Sequence, residues 1–266
     1  KFLREMEFNR LLSSVISAYG EPELEETASE VKPENKQQNI NKKNYHLITS
    51  EKEIDEWINE AEEAGELAID TETSSLDAHQ ADLVGISLST KIGKACYIPI
   101  GHKFKGCLKK ETVIKKLKPL LEDKSVKKIG QNIKFDFIIL FKQGINMNSM
   151  EDTMLMSYVL DAGKNRHNMD TLSEIHLQHK TISFKEIVGT GKKEINFSDV
   201  ELVKAMEYAA EDADITYRLF KIFSKNLKVE KLTNIYEIFE KPLIKILAFM
   251  EIEGIKVDNK FLKVLS

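Results

Sequence analysis

The chain has 266 residues, of which 42% are hydrophobic, enough for one sizeable buried core and too many for a disordered chain. Its 39 Lys and Arg against 43 Asp and Glu give a formal net charge of −4, which excludes a chain-wide basic surface for nucleic acid and leaves only a local one. The two cysteines, Cys96 and Cys107, form no CxxC pair, which argues against a zinc site or a disulfide framework and favours a reducing cytoplasm.

The first predicted element is a helix over residues 1–19, whose apolar residues recur at helical spacing up to Gly20. Residues 20–45 are polar and charged, with two prolines, and are predicted to be a linker. The chain lacks an initiator methionine and an apolar leader, and no segment approaches the roughly 20 apolar residues that span a bilayer. We therefore expect a fragment of a longer polypeptide, with no membrane partner.

The next segments predict one helix and three strands. The segment "SEKEIDEWINEAEEAGE" is typical of an amphipathic helix, with Ser50 as N-cap and Glu53 completing a capping box. Three short apolar runs follow, each bounded by Gly, Asp or Ser: "LAIDTET", "LVGISLST" and "ACYIPIG". Three consecutive strands favour a meander.

The second half of the chain is mainly helical. "KETVIKKLKPLLED" predicts a helix, "VKKIGQN" a strand, and "KFDFIILFKQG" an apolar helix closed by Gly144. Residues 198–228 predict one long helix or two abutting ones, and a last helix should end near Gly254. This order of elements indicates an α/β or α+β layer fold whose sheet is covered by helices.

Two acids end the first strand of the meander. Because side chains alternate along a strand, Asp70 and Glu72 should point to one side and Thr71 to the other. Two carboxylates held together repel each other, and one would take up a proton unless a cation compensates them. Hard oxygen ligands suit Mg²⁺ or Mn²⁺. The alternative is a strand end exposed to solvent.

Other acids stand at helical positions. Asp136 lies at the start of an apolar helix, where the helix dipole favours a carboxylate in any case. Tyr208 and Asp212 are four residues apart and share one face of a helix. Taken singly, Tyr208 could be a core residue with its hydroxyl at the rim, and Asp212 one of several surface acids together with Glu211 and Asp214.

Taken together, these residues resemble a known set of motifs. Asp-x-Glu at 70–72, Asn-x-x-x-Asp at 132–136 and Tyr-x-x-x-Asp at 208–212 are similar to the three motifs of the proofreading nucleases with four acidic residues and a tyrosine. The match is closest to the 3′–5′ exonuclease domain of bacterial DNA polymerase I and covers roughly residues 47–220. It includes the segments "IDTETSSLD", "IGQNIKFD", "RHNMDTLSE", "HKTISFKEI" and "YAAEDADIT".

The resemblance also implies a division of the chain. Residues 1–19 look like a helix from the end of a preceding 5′ nuclease region, followed by the linker over 20–45. Residues 46–228 would form the exonuclease domain. Residues 229–266 look like the helical entry into a polymerase region, which would be truncated here.

The resemblance implies an α/β, ribonuclease H-like fold with a mixed five-stranded sheet flanked by helices, and two divalent metal ions at one edge. Asp70, Glu72 and Asp212 would hold the first ion, and Asp70 and Asp136 the second. The expected ions are Mg²⁺ or Mn²⁺, with Zn²⁺ as an alternative at the first position.

Substrate contacts are implied in the same way. Tyr208 would orient the attacking water, since a phenol with a free pKa near 10 is a poor general base. Leu76 and Phe184 would wedge or stack against the last bases, while Asn132 and Arg166 would contact the terminal nucleotide and its phosphate. Without the resemblance, core packing would be the preferred interpretation of Phe184.

The implied activity is hydrolysis of the 3′-terminal phosphodiester of single-stranded or frayed DNA, releasing nucleoside 5′-monophosphates, in the bacterial cytoplasm. The implied partners are a single-stranded DNA 3′ end and the remainder of the polymerase chain. Three alternatives stay open: an RNA exonuclease of the ribonuclease D type, a catalytically silent DNA-binding module, and a plain interaction domain.

Overall fold

The computed structural model describes residues 3, 6, 8–20, 44–191 and 194–265. The chain divides into two compact units, Lys1–Lys36 and Gln37–Ser266. In the first unit, helix α1 (Asn9–Tyr19) ends at Gly20, whose φ is 83°. The predicted linker lies almost entirely outside the described residues, and so does most of the predicted helix before Asn9.

The second unit is built on one mixed sheet of six strands, in the order β1-β4-β3-β2-β5-β6. The strands are β1 (Tyr45–Leu47), β2 (Glu66–Thr73), β3 (Leu83–Lys91), β4 (Lys94–Pro99), β5 (Lys127–Gly130) and β6 (Met150–Asp152). Strands β2, β3 and β4 form the predicted antiparallel meander, while β1, β5 and β6 are each parallel to their neighbours.

The predicted fold class, a mixed α/β sheet flanked by helices, is confirmed, but the sheet has six strands where five were expected. The two edge strands, β1 and β6, are three residues long. Three residues are too few to show an alternating pattern. The pairing of β1 and β6 with the rest of the sheet could therefore not be predicted from the sequence pattern and is seen only in the structure.

Helices separate several of these strands and follow the last one in the chain. They are α2 (Glu51–Ala64), α3 (Lys110–Glu122), α4 (Ile133–Lys142), α5 (Thr153–Asp161), α6 (Met169–Leu177), α7 (Phe184–Val188) and α8 (Leu202–Val229), followed by α9 (Thr233–Ile235), a π-helical stretch (Tyr236–Glu240), α10 (Lys241–Glu253) and α11 (Asn259–Leu265). The predicted capping box of α2 is present, since the Ser50 side chain accepts the Glu53 N–H and the Glu53 side chain accepts the Ser50 N–H. Helix α8 is a single helix of 28 residues.

Alternation along β2 separates two cores. Leu67 and Ile69 belong to the larger core, under α2, α3 and α4. Ala68 faces the other way and packs with Ile215 and Leu219 of α8. The end of β2 therefore lies between α4 on one face of the sheet and α8 on the other.

In the described part of the chain, no helix combines the length and the apolarity that crossing a membrane requires.

Candidate active site

The last residues of β2 are open on one side. Strand β5 pairs only with residues 66–68 of β2, while β3 pairs with β2 as far as Thr73. Beyond Ala68 a helix residue supplies a partner: the Thr71 N–H donates to Asp136 Oδ1 at 2.8 Å, and the Thr71 hydroxyl donates to the same oxygen at 2.6 Å. Asp136 of α4 is thus fixed where the sheet opens.

Three carboxylates converge on the opposite face of β2. Asp70 and Glu72 point to the same face, as predicted, and α8 brings Asp212 against them. One oxygen of each carboxylate lies within 4.8 Å of an oxygen of the other two. Glu72, Asp136 and Asp212 are buried, whereas Asp70 is half-buried at the cleft.

This crowding changes the acidity of the group. Burial raises the pKa of Asp70 to about 6. Burial also raises the pKa of Glu72 well above its usual range, and the charges of Asp70, Asp212 and Asp136 add to the shift. The pKa values of Asp136 and Asp212 rise for the same two reasons, burial first and then the charge of Asp70. The charge of Asp70 therefore contributes to the raised pKa of each of the other three carboxyl groups.

The acids of α8 differ in their partners, although Glu211, Asp212 and Asp214 are all buried. Glu211 Oε2 accepts the N–H of Ile182 at 2.7 Å. Asp214 accepts the N–H of Gly93 at 2.7 Å and lies 3.1 Å from the Nε of its helix neighbour Arg218. Asp212 instead faces the other site carboxylates, so the alternative of three surface acids does not describe this helix.

Tyr208 stands one turn before Asp212. Burial and the nearby charges of Asp212, Glu72 and Asp70 raise the pKa of Tyr208 far above its usual range, so its hydroxyl keeps its proton at neutral pH. The ring lies 6.0 Å from the rings of both Phe184 and Phe197. The rings of Phe184 and Phe197 are stacked, with centroids 6.1 Å apart.

A cleft of about 1000 Å³ contains the acids and most of the predicted substrate contacts. Leu76 lines it with 93% of its surface exposed, and Phe184 with 42%. Asn132 lines it in the left-handed conformation, with φ of 60°. Arg166 is exposed on the loop before α6 and does not line the cleft, so its contact with the terminal phosphate stays a prediction.

The structure adds Asp152 to the residues that shape the site. Its carboxylate accepts the N–H groups of Asn132 and Ile133 at the start of α4, and those of Met154 and Leu155 at the start of α5. Burial raises the pKa of Asp152 to about 6, although these four hydrogen bonds act to lower it. A carboxylate before "TMLMSYVL" is a readable N-cap signal, but its second role at Asn132 depends on tertiary structure.

Gly85 leaves room for a tyrosine beside Glu72. It pairs with Glu72 in the β2–β3 ladder, and the side chain of Tyr97 from β4 covers it. The Tyr97 hydroxyl is 2.7 Å from His102 Nε2, and the His102 Nδ1 is 3.1 Å from the Val200 carbonyl oxygen. Tyr97 is fully buried, and His102 holds its hydroxyl in place.

We therefore expect Gly85→Ala to be strongly destabilising. A Cβ at position 85 would lie 2.0 Å from the Tyr97 hydroxyl, and that ring cannot move without breaking its bond to His102. The expected cost is about 3 kcal/mol in the free energy of unfolding, measured by urea denaturation. Combining it with Tyr97→Val should cost less than the sum of the two single changes; additive costs would contradict the clash.

The donor chemistry of the site fits a divalent cation. The Oε1 atom of Glu72 is buried and has no hydrogen-bond partner among the residues that the structure describes. A buried, unpaired carboxylate oxygen beside two further carboxylates is costly without a positive charge. Carboxylate oxygens on a rigid strand and helix are the ligands that hard divalent ions prefer.

This mixed sheet flanked by helices is a ribonuclease H-like fold, and the four acids at the end of β2 form its candidate active site. The chain belongs to the 3′–5′ exonuclease family, whose profile matches residues 45–228. It is 44% identical over 234 residues to DNA polymerase I of Rhizobium leguminosarum, an alignment that covers 80% of this chain and 23% of the relative. It is 41% identical over 220 residues to DNA polymerase I of Borreliella burgdorferi, covering 82% and 24%.

The chain thus spans about a quarter of the length of these relatives. Among solved structures, it is similar to the polymerase domain of Pol1 from M. smegmatis, with a TM-score of 0.66 and 19% identity over 83% of this chain and 34% of that one. It is also similar to ribonuclease D of Escherichia coli, with a TM-score of 0.56 and 18% identity over 77% and 50%. At such identities these two structures establish the fold.

Proposed function

We propose that the chain is the metal-dependent proofreading 3′–5′ exonuclease domain of a DNA polymerase I. It hydrolyses the 3′-terminal phosphodiester of single-stranded or frayed DNA and releases nucleoside 5′-monophosphates. The observation that carries this proposal is the convergence of Asp70, Glu72 and Asp212 within 4.8 Å at the end of β2, with Asp136 fixed beside them. The four acids and Tyr208 are the proposed catalytic residues.

The same acids are the proposed metal ligands. Asp70, Glu72 and Asp212 would hold one ion, and Asp70 and Asp136 a second, as Mg²⁺ or Mn²⁺ with Zn²⁺ as an alternative at the first position. When bound, such ions activate water and stabilise the charge on the attacking and departing oxygens of an in-line displacement at phosphorus. The four carboxylates offset the positive charge of the ions. Because the carboxylates are fixed in a site that largely excludes water, their electrostatic effect is stronger than it would be in water.

Tyr208 is proposed to orient the attacking water. Its hydroxyl stays protonated, since burial raises its pKa, so it acts by hydrogen bonding and not as a general base. The hydroxyl interacts with the Asp212 carboxylate, and this contact offsets only part of the rise that burial and the charge of Asp70 cause in the pKa of Asp212. The ring packing on Phe184 and Phe197 fixes where the hydroxyl points.

The walls of the cleft are proposed to hold the 3′ end. Leu76 and Phe184 present apolar surface on which terminal bases can stack whatever their sequence. Asn132 and Arg166 are proposed to contact the terminal nucleotide and its phosphate. Sequence-independent stacking suits an enzyme that removes any misinserted base.

The division of the longer chain is part of the proposal. Residues 1–19 would end a 5′ nuclease region, residues 20–45 would link it to the exonuclease domain over 46–228, and residues 229–266 would lead into a polymerase region. The relatives that support this assignment are bacterial DNA polymerases I. The proposed partners are therefore a single-stranded DNA 3′ end and the rest of that polymerase, in the bacterial cytoplasm.

The direct test is digestion of a 3′-labelled single-stranded DNA oligonucleotide with Mg²⁺ or Mn²⁺, run beside the same reaction in EDTA. Metal-dependent release of mononucleotides from the 3′ end is expected. An RNA oligonucleotide of the same sequence distinguishes an RNA exonuclease of the ribonuclease D type, which would degrade it faster. A folded chain that binds the DNA without turnover would point to a silent binding module.

Tyr208→Phe should lower kcat about 10- to 100-fold, because the water loses the group that orients it. Stability should change by only about 1 kcal/mol, the worth of one hydrogen bond. Tyr217→Phe is the matched control, since Tyr217 lies on the same helix and donates to Glu66, away from the cleft. Equal rate constants for the two variants in single-turnover digestion, which reports the chemical step, would remove the orienting role of Tyr208.

A further inference from the structure

We propose that Glu211 positions Phe184 in the cleft by anchoring the loop between α6 and α7, which makes Glu211 a positioning residue for the 3′-terminal base. The loop comprises residues 178–183 and precedes Phe184 directly. The assignment of a nucleic-acid strand to the cleft rests on the proposed function. The anchoring itself rests on contacts that involve none of the proposed metal ligands.

Glu211 points away from its neighbour Asp212. Successive side chains on an α-helix are about 100° apart, so adjacent residues serve different surroundings. The Glu211 side chain is fully buried and reaches the loop, where Oε2 accepts the Ile182 N–H at 2.7 Å and Oε1 lies 2.8 Å from His179 Nε2. A carboxylate without exposure is costly unless both oxygens are satisfied, and this one is matched by the loop.

Contacts with α6 fix the beginning of the same loop. Gln178 closes α6 in the left-handed conformation, with φ of 52°. The Ser173 hydroxyl donates to the His179 carbonyl at 2.8 Å, and the Thr181 hydroxyl donates to Asp170 at 2.7 Å. These bonds hold the loop to the helix that it leaves, whereas the Glu211 contacts hold it to α8, the helix that carries Asp212.

The anchor helps to set the position of Phe184, whose ring also packs on Phe197 and Tyr208. Ile182 lines the cleft, and Phe184 follows two residues later as the first residue of α7. Helix α7 has only five residues, too few to hold a position by its own hydrogen bonds. One turn of α8 therefore carries both Asp212, at the reacting phosphate, and Glu211, which anchors the loop before Phe184. This arrangement fixes the distance between the phosphate and the base that stacks on Phe184.

Asp214 provides a matched control on the same helix. It is also fully buried, and besides the Nε–H of Arg218 on its own helix it has two partners from other elements, the Gly93 N–H and the Tyr45 hydroxyl at 2.8 Å. These partners belong to β1 and to the turn between β3 and β4. Removing this carboxylate should therefore destabilise the fold without displacing the cleft wall.

The test compares Glu211→Ala, Glu211→Gln and Asp214→Ala by amide hydrogen exchange of residues 178–188 and by steady-state digestion of a 3′-labelled oligonucleotide. Glu211→Ala should speed exchange in this segment and raise KM about tenfold, within the worth of one stacked base, with kcat changed less than about threefold because stacking is equal in the ground and transition states. Glu211→Gln should restore both values, since its amide oxygen still accepts the Ile182 N–H. Asp214→Ala should leave KM unchanged.

Unchanged exchange over residues 178–188 in Glu211→Ala would overturn the anchoring. Faster exchange with an unchanged KM, or an equal rise of KM in Asp214→Ala, would overturn the positioning role. If Glu211→Ala does not fold, His179→Ala, whose ring is partly exposed, carries the same comparison. If the wild-type chain does not hydrolyse DNA, the proposed function fails separately, and the dissociation constant of the oligonucleotide in EDTA replaces KM with the same expected tenfold rise.

Discussion

Asp70→Ala should abolish 3′-end hydrolysis, lowering the rate by more than about 1000-fold, while the metal-free protein becomes as stable as the wild type or more stable. Asp70 is the one acid proposed as a ligand of both metal ions. Its removal should therefore disrupt the site more than the removal of any other single acid. Digestion of the 3′-labelled oligonucleotide gives the rate, and urea denaturation in EDTA gives the free energy of unfolding. Asp212→Ala should behave in the same direction.

The gain in stability follows from the electrostatics of the acidic cluster in the metal-free protein. The charge of Asp70 is among the causes that raise the pKa of Glu72, Asp136 and Asp212. Removing it relieves three repulsions at once, at the loss of only a half-buried side chain. A carboxylate kept for function at a cost in stability is a common feature of active sites.

Asp214→Ala is the control for the sign of this effect. Its carboxylate is paired with the Tyr45 hydroxyl, the Gly93 N–H and Arg218, so its loss should leave these groups unsatisfied and cost about 3 kcal/mol. Removing Asp70, which is half-buried in the site, and removing Asp214, which is fully buried outside the cleft, should thus shift stability in opposite directions. Loss of folding in Asp70→Ala, or lower stability of this variant in EDTA, would contradict the account of the cluster.

The regular elements of the fold could be predicted from the sequence because their signals are local. The capping box of Ser50 and Glu53 is present, and the meander of β2 to β4 follows from three short apolar runs bounded by Gly, Asp or Ser. The strands β1 and β6 escaped prediction, since residues that pair only at a sheet edge carry no pattern of their own. Periodicity also left the single helix α8 indistinguishable from two abutting helices.

Sequence spacing placed Asp70 and Glu72 on one face, but it could not rank the acids of α8. Glu211, Asp212 and Asp214 are all buried, and only their partners differ. Those partners come from distant parts of the chain: Ile182 for Glu211, and Gly93 for Asp214. The resemblance selected Asp212, whereas local physical chemistry alone would not have done so.

Two supporting residues were invisible for the same reason. Thr71 was expected only to point away from the acids, yet its hydroxyl and its N–H both hold Asp136. Phe197 gave no sequence signal, although its ring contacts Phe184 and Tyr208 and lines the cleft. Such roles depend on contacts between segments far apart in sequence, which no local pattern reports.

The metal-free protein should lose stability as the pH rises, and a divalent cation should reverse the loss. The pKa of Asp70 is about 6 in the folded chain against an ordinary value of 3.8, so the folded state binds more protons between these values and its stability falls as the pH rises through them. The raised pKa values of Glu72, Asp136 and Asp212 extend the fall to higher pH. Asp152, with a pKa of about 6, adds a fall of the same sign that no site cation relieves.

Thermal unfolding from pH 5 to pH 8, in EDTA and with Mg²⁺ or Mn²⁺, measures this linkage. At a hundredfold excess over the dissociation constant, a cation adds about 2.7 kcal/mol, or roughly 5 to 10 °C in Tm for a domain of this size. The rise should be larger at pH 8 than at pH 5, because protons compete with the cation for the same carboxylates. Asp70→Ala should lose the rise but keep a shallower fall due to Asp152 and to the buried carboxylates that remain in the site. An equal rise at both pH values, or one that survives in Asp70→Ala, would mean that the cation binds elsewhere and that the four acids tolerate their mutual repulsion without it.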